Sequence, residues 1–135
     1  MKRVILILIV GVIALLLAAC GGSEPEAPPP VNVTVEGLDT FQFNPATLSA
    51  PAGAQVNLTF KNGGGLEHNF VIVTNDTDPL TVTEADAFGG INIGTVSAGG
   101  EKVYTFTAPV VGTYKYVCTI PGHAAGGMVG TFTSQ

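Results

Sequence analysis

From Val31 to Gln135 the sequence is a succession of short segments in which apolar and polar residues alternate, cut at close intervals by glycine and proline. A period of two sends neighbouring side chains to opposite sides of a pleated strand, so each such segment has one apolar face to bury. "VNVTVE" at 31–36 and "QVNLTFKN" at 55–62 alternate cleanly, and the second puts Val56, Leu58 and Phe60 on one face. The same signal marks 41–43, 47–50, 69–74, 91–95, 102–107, 113–119 and 128–133, segments enriched in Thr, Val, Tyr and Phe. Turn signals separate them: "PAG" at 51–53, "NGGG" at 62–65, "AGG" at 98–100 and "PVVG" at 109–112. Many short strands at this spacing predict an all-β fold, a Greek-key β-sandwich. The exception is "DTDPLTVTEADAFGG" at 76–90, a loop excursion in which Thr83 and Asp86 leave room for one short helix.

The N-terminus has a different character. Lys2 and Arg3 precede an apolar run from Val4 to Leu17 that ends in Ala18 and Ala19. This is the three-part form of a secretory signal, and the run is shorter than the ~20 residues that span a bilayer. "LAAC" resembles a bacterial lipobox, which implies cleavage before Cys20 and lipid on that cysteine. The expected organisation is a signal peptide at 1–19, a lipid-anchored Pro-rich tether at 20–30 and one domain at 31–135, outside the cytoplasm and held at a membrane. An uncleaved anchor is the alternative, disfavoured by "GGSEPEAPPP", which reads as an extended tether. Without residues 1–19 the chain keeps three lysines, Lys61, Lys102 and Lys115, against ten acids, a formal charge of −7. With no arginine left to grip phosphate, nucleic acid is not an expected partner. Three Asn-x-Thr triplets, at Asn32, Asn57 and Asn75, are read as Thr-rich strand sequence.

Cysteine use carries the functional signal. Exported proteins normally pair their thiols. If Cys20 carries lipid, Cys118 is alone, and is an intermolecular bridge, a buried inert thiol or a ligand. Its neighbours favour the last. The run "YKYVCTIPGHAAGGMVG" spaces Cys118-x4-His123-x4-Met128, and His68 stands upstream in "GGGLEHNF". His68 and His123 are the only histidines, and Met128 is the only methionine besides Met1. Each alone has an ordinary reading: a small buried hydrophobe, a core methionine, a hydrogen-bonded histidine. Together a thiolate, two imidazoles and a thioether are the donor set of a blue-copper electron-transfer site. Such a trigonal site with a weak axial thioether lies between the preferences of Cu(I) and Cu(II), so little moves when an electron arrives or leaves.

These residues also carry a resemblance. The 114–130 run is similar to the copper-ligand loop of the cupredoxins, blue-copper proteins of the plastocyanin and azurin kind, and its wording is closest to the rusticyanin type. The resemblance implies one type 1 copper, with His68, Cys118, His123 and Met128 as ligands. It further implies that Asn69 and Thr119 hydrogen-bond to clamp the two ligand segments. Backbone N–H groups of Asn69 and Ile120 would reach the Cys118 sulfur, and the Glu67 carbonyl would lie on the far axial side. The function implied is one-electron shuttling by a monomer, with cytochromes or a terminal oxidase as typical partners. The expected docking face surrounds His123: Leu66, Ile120, Pro121, Ala124 and Ala125. An enzyme is disfavoured, because both histidines are already assigned and no coordination position is left open. An extracytoplasmic copper store or chaperone is the alternative function, although such proteins usually display several methionines or histidines. A metal-free adhesive sandwich is the bland reading.

Overall fold

The computed structural model describes residues 26–135, so the signal peptide at 1–19, Cys20 and the start of the 20–30 tether lie outside the described residues. Among the described residues eight strands run in chain order: β1 Val31–Leu38, β2 Gln42–Asn44, β3 Thr47–Ala50, β4 Gln55–Asn62, β5 Val71–Thr74, β6 Glu101–Thr107, β7 Gly112–Val117 and β8 Val129–Ser134. They form two four-stranded sheets, ordered β2-β1-β4-β6 and β3-β8-β7-β5. The chain crosses between the sheets repeatedly, which makes β1/β4 and β3/β8 parallel pairs while the other pairings are antiparallel. This is the predicted β-sandwich. No helix among the described residues is long and apolar enough to cross a membrane.

The alternation does what its period demands. Val56, Leu58 and Phe60 of β4 are fully buried, facing the second sheet. Between the sheets Phe70 stacks on Tyr116 at 4.8 Å, and Phe43 meets the Tyr116 ring edge-on at 5.0 Å. The Tyr116 hydroxyl donates to the Pro45 carbonyl at 2.8 Å, so the one polar atom of this cluster is satisfied. Burial pushes that phenol well above the usual tyrosine range. Gly130 lies directly opposite Tyr116 in the β7–β8 ladder. A Cβ there would overlap the tyrosine ring, so the aromatic side chain lies across the glycine.

Two expectations are corrected. The strand predicted at 91–95 does not form; Asn92 and Val96 make isolated bridges to Val71 and His68. Ile91 and Ile93 do point inward and are buried, which is the alternation the sequence displays. However, Gly90 and Gly94 flank them at φ 74° and 70°, left-handed conformations that break the extended backbone at both ends of the segment. The strand expected at 69–74 starts only at Val71, because His68 is taken up by Val96. In the excursion, the short helix is a pair of single 3₁₀ turns, Glu84–Asp86 and Phe88–Gly90. The Asp86 carboxylate accepts the Thr83 N–H and hydroxyl, both at 2.8 Å, which starts the first turn and holds that carboxyl below its usual range.

Candidate metal centre

Cys118 directly follows β7 and Met128 directly precedes β8, so one loop carries three of the predicted ligands to one end of the sandwich. The loop is closed by its own backbone. The Cys118 N–H donates to the Met128 carbonyl (3.1 Å), Met128 to His123 (3.0 Å) and His123 to Ile120 (3.0 Å). His68 approaches from the other segment, just before β5, fixed by paired bonds with Val96 at 3.2 and 2.8 Å. Cys118, His68 and Met128 are 0% exposed, and His123 is 7% exposed.

The donor atoms converge. His68 Nδ1 and His123 Nδ1 are 3.2 Å apart, and Cys118 Sγ is 3.4 Å from His123 Nδ1. The donors of His68, Cys118 and His123 all lie within 4.8 Å of one another. Bonds of about 2.0 Å to nitrogen and about 2.3 Å to sulfur put ligands of one small ion about 3.3–3.6 Å apart. The cluster therefore fits a metal with a taste for nitrogen and thiolate. Met128 packs beside it. A Cβ on Gly37 would come to 3.1 Å from the Met128 methyl and 3.2 Å from His68 Cβ, so this glycine leaves space for both.

Electrostatics agree with the chemistry. Burial pushes the Cys118 thiol up, while N–H groups of Asn69 and Ile120 aimed at the sulfur pull it back. Two N–H donors are thus in place for a thiolate, whose charge a bound cation would further stabilise. Burial, then the neighbouring His68, push His123 down, keeping its imidazole neutral with a lone pair to give. The Asn69 and Thr119 segments clamp reciprocally. Asn69 Nδ2 donates to the Thr119 hydroxyl and the Thr119 N–H donates to Asn69 Oδ1, both at 2.8 Å. Asn69 also donates to Glu84 at 3.0 Å, tying the excursion to the clamp. Asn69→Ala is expected to destabilise the metal-free protein by about 1–2 kcal/mol, since it leaves the half-buried Thr119 N–H and hydroxyl without their partner. Denaturant unfolding measures it, and a loss below about 0.5 kcal/mol would show that the clamp holds nothing.

The structure adds residues that sequence reasoning missed. Phe41 packs its ring 4.7 Å from that of His123, and Asp39 Oδ1 stands 3.5 Å from the outer nitrogen of His68. Glu67 is exposed, its carboxylate accepting from Ser97 at 3.4 Å. Above Cys118 the ligand loop and the excursion form a shallow groove of mixed polarity, with Leu80 and Val82 on one side and Ile120, Pro121, Ala124 and Ala125 on the other. Leu66, also expected at this face, is 44% exposed.

Residues 29–135 match the profile of copper-binding proteins of the plastocyanin/azurin family. Over 106 residues, 73% of its length, the chain is 35% identical to the copper-resistant cuproprotein CopI of Rubrivivax gelatinosus. Over 88 residues, 62% of its length, it is 44% identical to rusticyanin of Acidithiobacillus ferrooxidans. The chain spans 62% and 47% of those two relatives' own lengths. A crystal structure of dithionite-reduced auracyanin from Roseiflexus castenholzii superposes with a TM-score of 0.69 at 26% identity, covering 82% of this chain and 99% of that one.

Proposed function

Since the chain belongs to the plastocyanin/azurin family of copper-binding proteins, we propose that it is a type 1 blue-copper electron carrier whose copper is held by His68, Cys118, His123 and Met128. The observation that carries this reading is the convergence of one thiol and two imidazoles in a buried pocket, with a thioether packed beside them. Copper in such a donor set supplies a one-electron couple. The protein's own part is to keep the donors in place. The closed loop, the Val96 pairing and the Asn69–Thr119 clamp fix both segments, and burial excludes water. The Asn69 and Ile120 N–H groups lower the charge density on the sulfur, which favours the reduced state. No substrate turnover belongs to this role. The N-terminal signal and lipobox-like "LAAC" support an extracytoplasmic, membrane-tethered location.

The docking face proposed for a partner is the groove above Cys118 together with the loop around His123. Leu80, 65% exposed, and the half-buried Ile120 and Ala124 give it an apolar centre, and Asp76, Asp78, Glu84 and Asp86 belong to the adjoining excursion. A small apolar patch beside acids suits brief encounters with a basic redox protein such as a c-type cytochrome. The test is to load the full chain with one equivalent of Cu(II), reduce it and mix it with an oxidised basic cytochrome. Rapid exchange that slows with salt is expected, and Leu80→Asp or Ala124→Asp should slow it by on the order of tenfold without altering the visible spectrum. Unchanged rates in both variants would place docking elsewhere.

A second reading, copper sequestration, draws support from the likeness to CopI. It predicts that a strain lacking the protein becomes copper-sensitive while respiratory or photosynthetic electron flow is unaffected. Impaired electron flow with unchanged copper tolerance favours the carrier.

A further inference from the structure

We propose that Asp39 is a positioning residue of the copper site: its carboxylate accepts the outer N–H of His68 and fixes the segment that presents His68. The proposal rests on copper binding by His68 through Nδ1, as read above. Three observations converge on it. His68 turns Nδ1 toward His123 and the sulfur, which leaves Nε2 on the opposite side of the ring. That nitrogen is buried and has no hydrogen-bond partner among the described residues. The carboxylate facing it is Asp39 Oδ1, at 3.5 Å.

The same carboxylate is itself held. Asp39 Oδ2 accepts the Gly65 N–H at 2.7 Å and Oδ1 accepts the Leu66 N–H at 3.0 Å, both in the segment leading to His68. The glycine run 63–65 makes this approach feasible, since a Cβ on Gly64 would overlap the Asp39 carboxylate. Asn62 completes the brace by donating to the Leu66 and Val96 carbonyls at 2.7 and 2.9 Å. "NGGG" is therefore more than a turn: it is the seat of a carboxylate.

The chemistry follows from tautomerism. An imidazole that gives its Nδ1 lone pair to a metal carries its proton on Nε2, and a buried N–H without an acceptor is costly. A carboxylate is the strongest acceptor available, and a carboxylate–imidazole–metal relay fixes the ring and makes its nitrogen a better donor. It also adds negative charge close to the ion, which favours the more highly charged oxidised state. Asp39 therefore opposes the Asn69 and Ile120 donors, which favour the reduced state.

The experiment compares full-length wild type, Asp39→Asn, Gly64→Ala and Glu36→Gln for Cu(I) and Cu(II) affinity and reduction potential. Glu36 lies against the same glycine run, at Gly63, and serves as the charge control. Asp39→Asn is expected to lose about tenfold in Cu(II) affinity with little change for Cu(I). A tenfold loss confined to the oxidised state raises the potential by about 59 mV. Gly64→Ala, which keeps the charge but displaces the carboxylate, should shift it in the same direction, and Glu36→Gln should not. If Asp39→Asn fails to fold, Gly64→Ala alone decides. An unmoved potential in both Asp39→Asn and Gly64→Ala overturns the proposal while a blue wild type keeps the copper reading intact. So does an equal loss for both oxidation states, which would reduce Asp39 to a brace of the loop. A wild type that takes up no copper overturns both.

Discussion

Cu(II) added to the Cys118→Ser protein is expected to produce no intense visible band and to bind roughly a thousandfold more weakly than to wild type. Cys118 is the only thiol in the donor cluster, and a serine hydroxyl stays protonated at neutral pH. Structural zinc in thiolate–imidazole sites is bound with about 10–16 kcal/mol, and on that scale losing one of three strong donors forfeits about 4 kcal/mol. The colour goes for a separate reason, because the strong absorption of such a centre is charge transfer from sulfur to copper. Without metal the same substitution should cost only about 1 kcal/mol, since the hydroxyl inherits the Asn69 and Ile120 N–H donors that aim at the sulfur. Absorption titration and denaturant unfolding, run side by side, separate the two effects. An intense band that survives in Cys118→Ser would mean the copper sits elsewhere.

The largest loss of stability is expected from Gly130→Val, about 3 kcal/mol in denaturant unfolding of the metal-free protein. The new side chain would occupy the space of the Tyr116 ring, which is fully buried and wedged between Phe43 and Phe70. The ring has nowhere to go without giving up its hydroxyl bond to Pro45. Valine has the higher strand propensity, so a propensity argument predicts the opposite sign. A change smaller than about 1 kcal/mol would show that the tyrosine repacks freely. The effect bears on the metal centre too, because β7 carries Tyr116 and leads straight into Cys118.

What could be read in advance depended on how local each constraint is. The faces of β1 and β4 were legible because burial against a second sheet imposes a period of two on neighbouring residues. Cys118, His123 and Met128 were legible because one short loop delivers all three, and His68 because histidine is so scarce here. The 91–95 segment misled for a physical reason: Ile91 and Ile93 face the core as strand residues would, yet left-handed glycines keep the backbone out of a ladder. Asp39 was invisible, since an exposed aspartate gains meaning only when β1 and β4 pair in parallel and bring the 62–66 segment alongside, and Phe41 because only the fold sets its ring against His123. The groove beside Leu80 was missed similarly, because nothing in the excursion's composition says that it leans on the ligand loop.

The closure of the ligand loop has a consequence for how such a protein can change over generations. β7 and β8 stay paired up to Val117 and Val129, and the Cys118–Met128 rung seals the stem. Residues between these two positions can be gained, lost or exchanged without slipping the register of any strand. His68 has no such freedom, being gripped on both sides by Val96 and the segment that Asp39 holds. Inheritance thus meets a site in two parts: an interchangeable cassette that sets the bite and reach of three donors, and a braced socket that receives it.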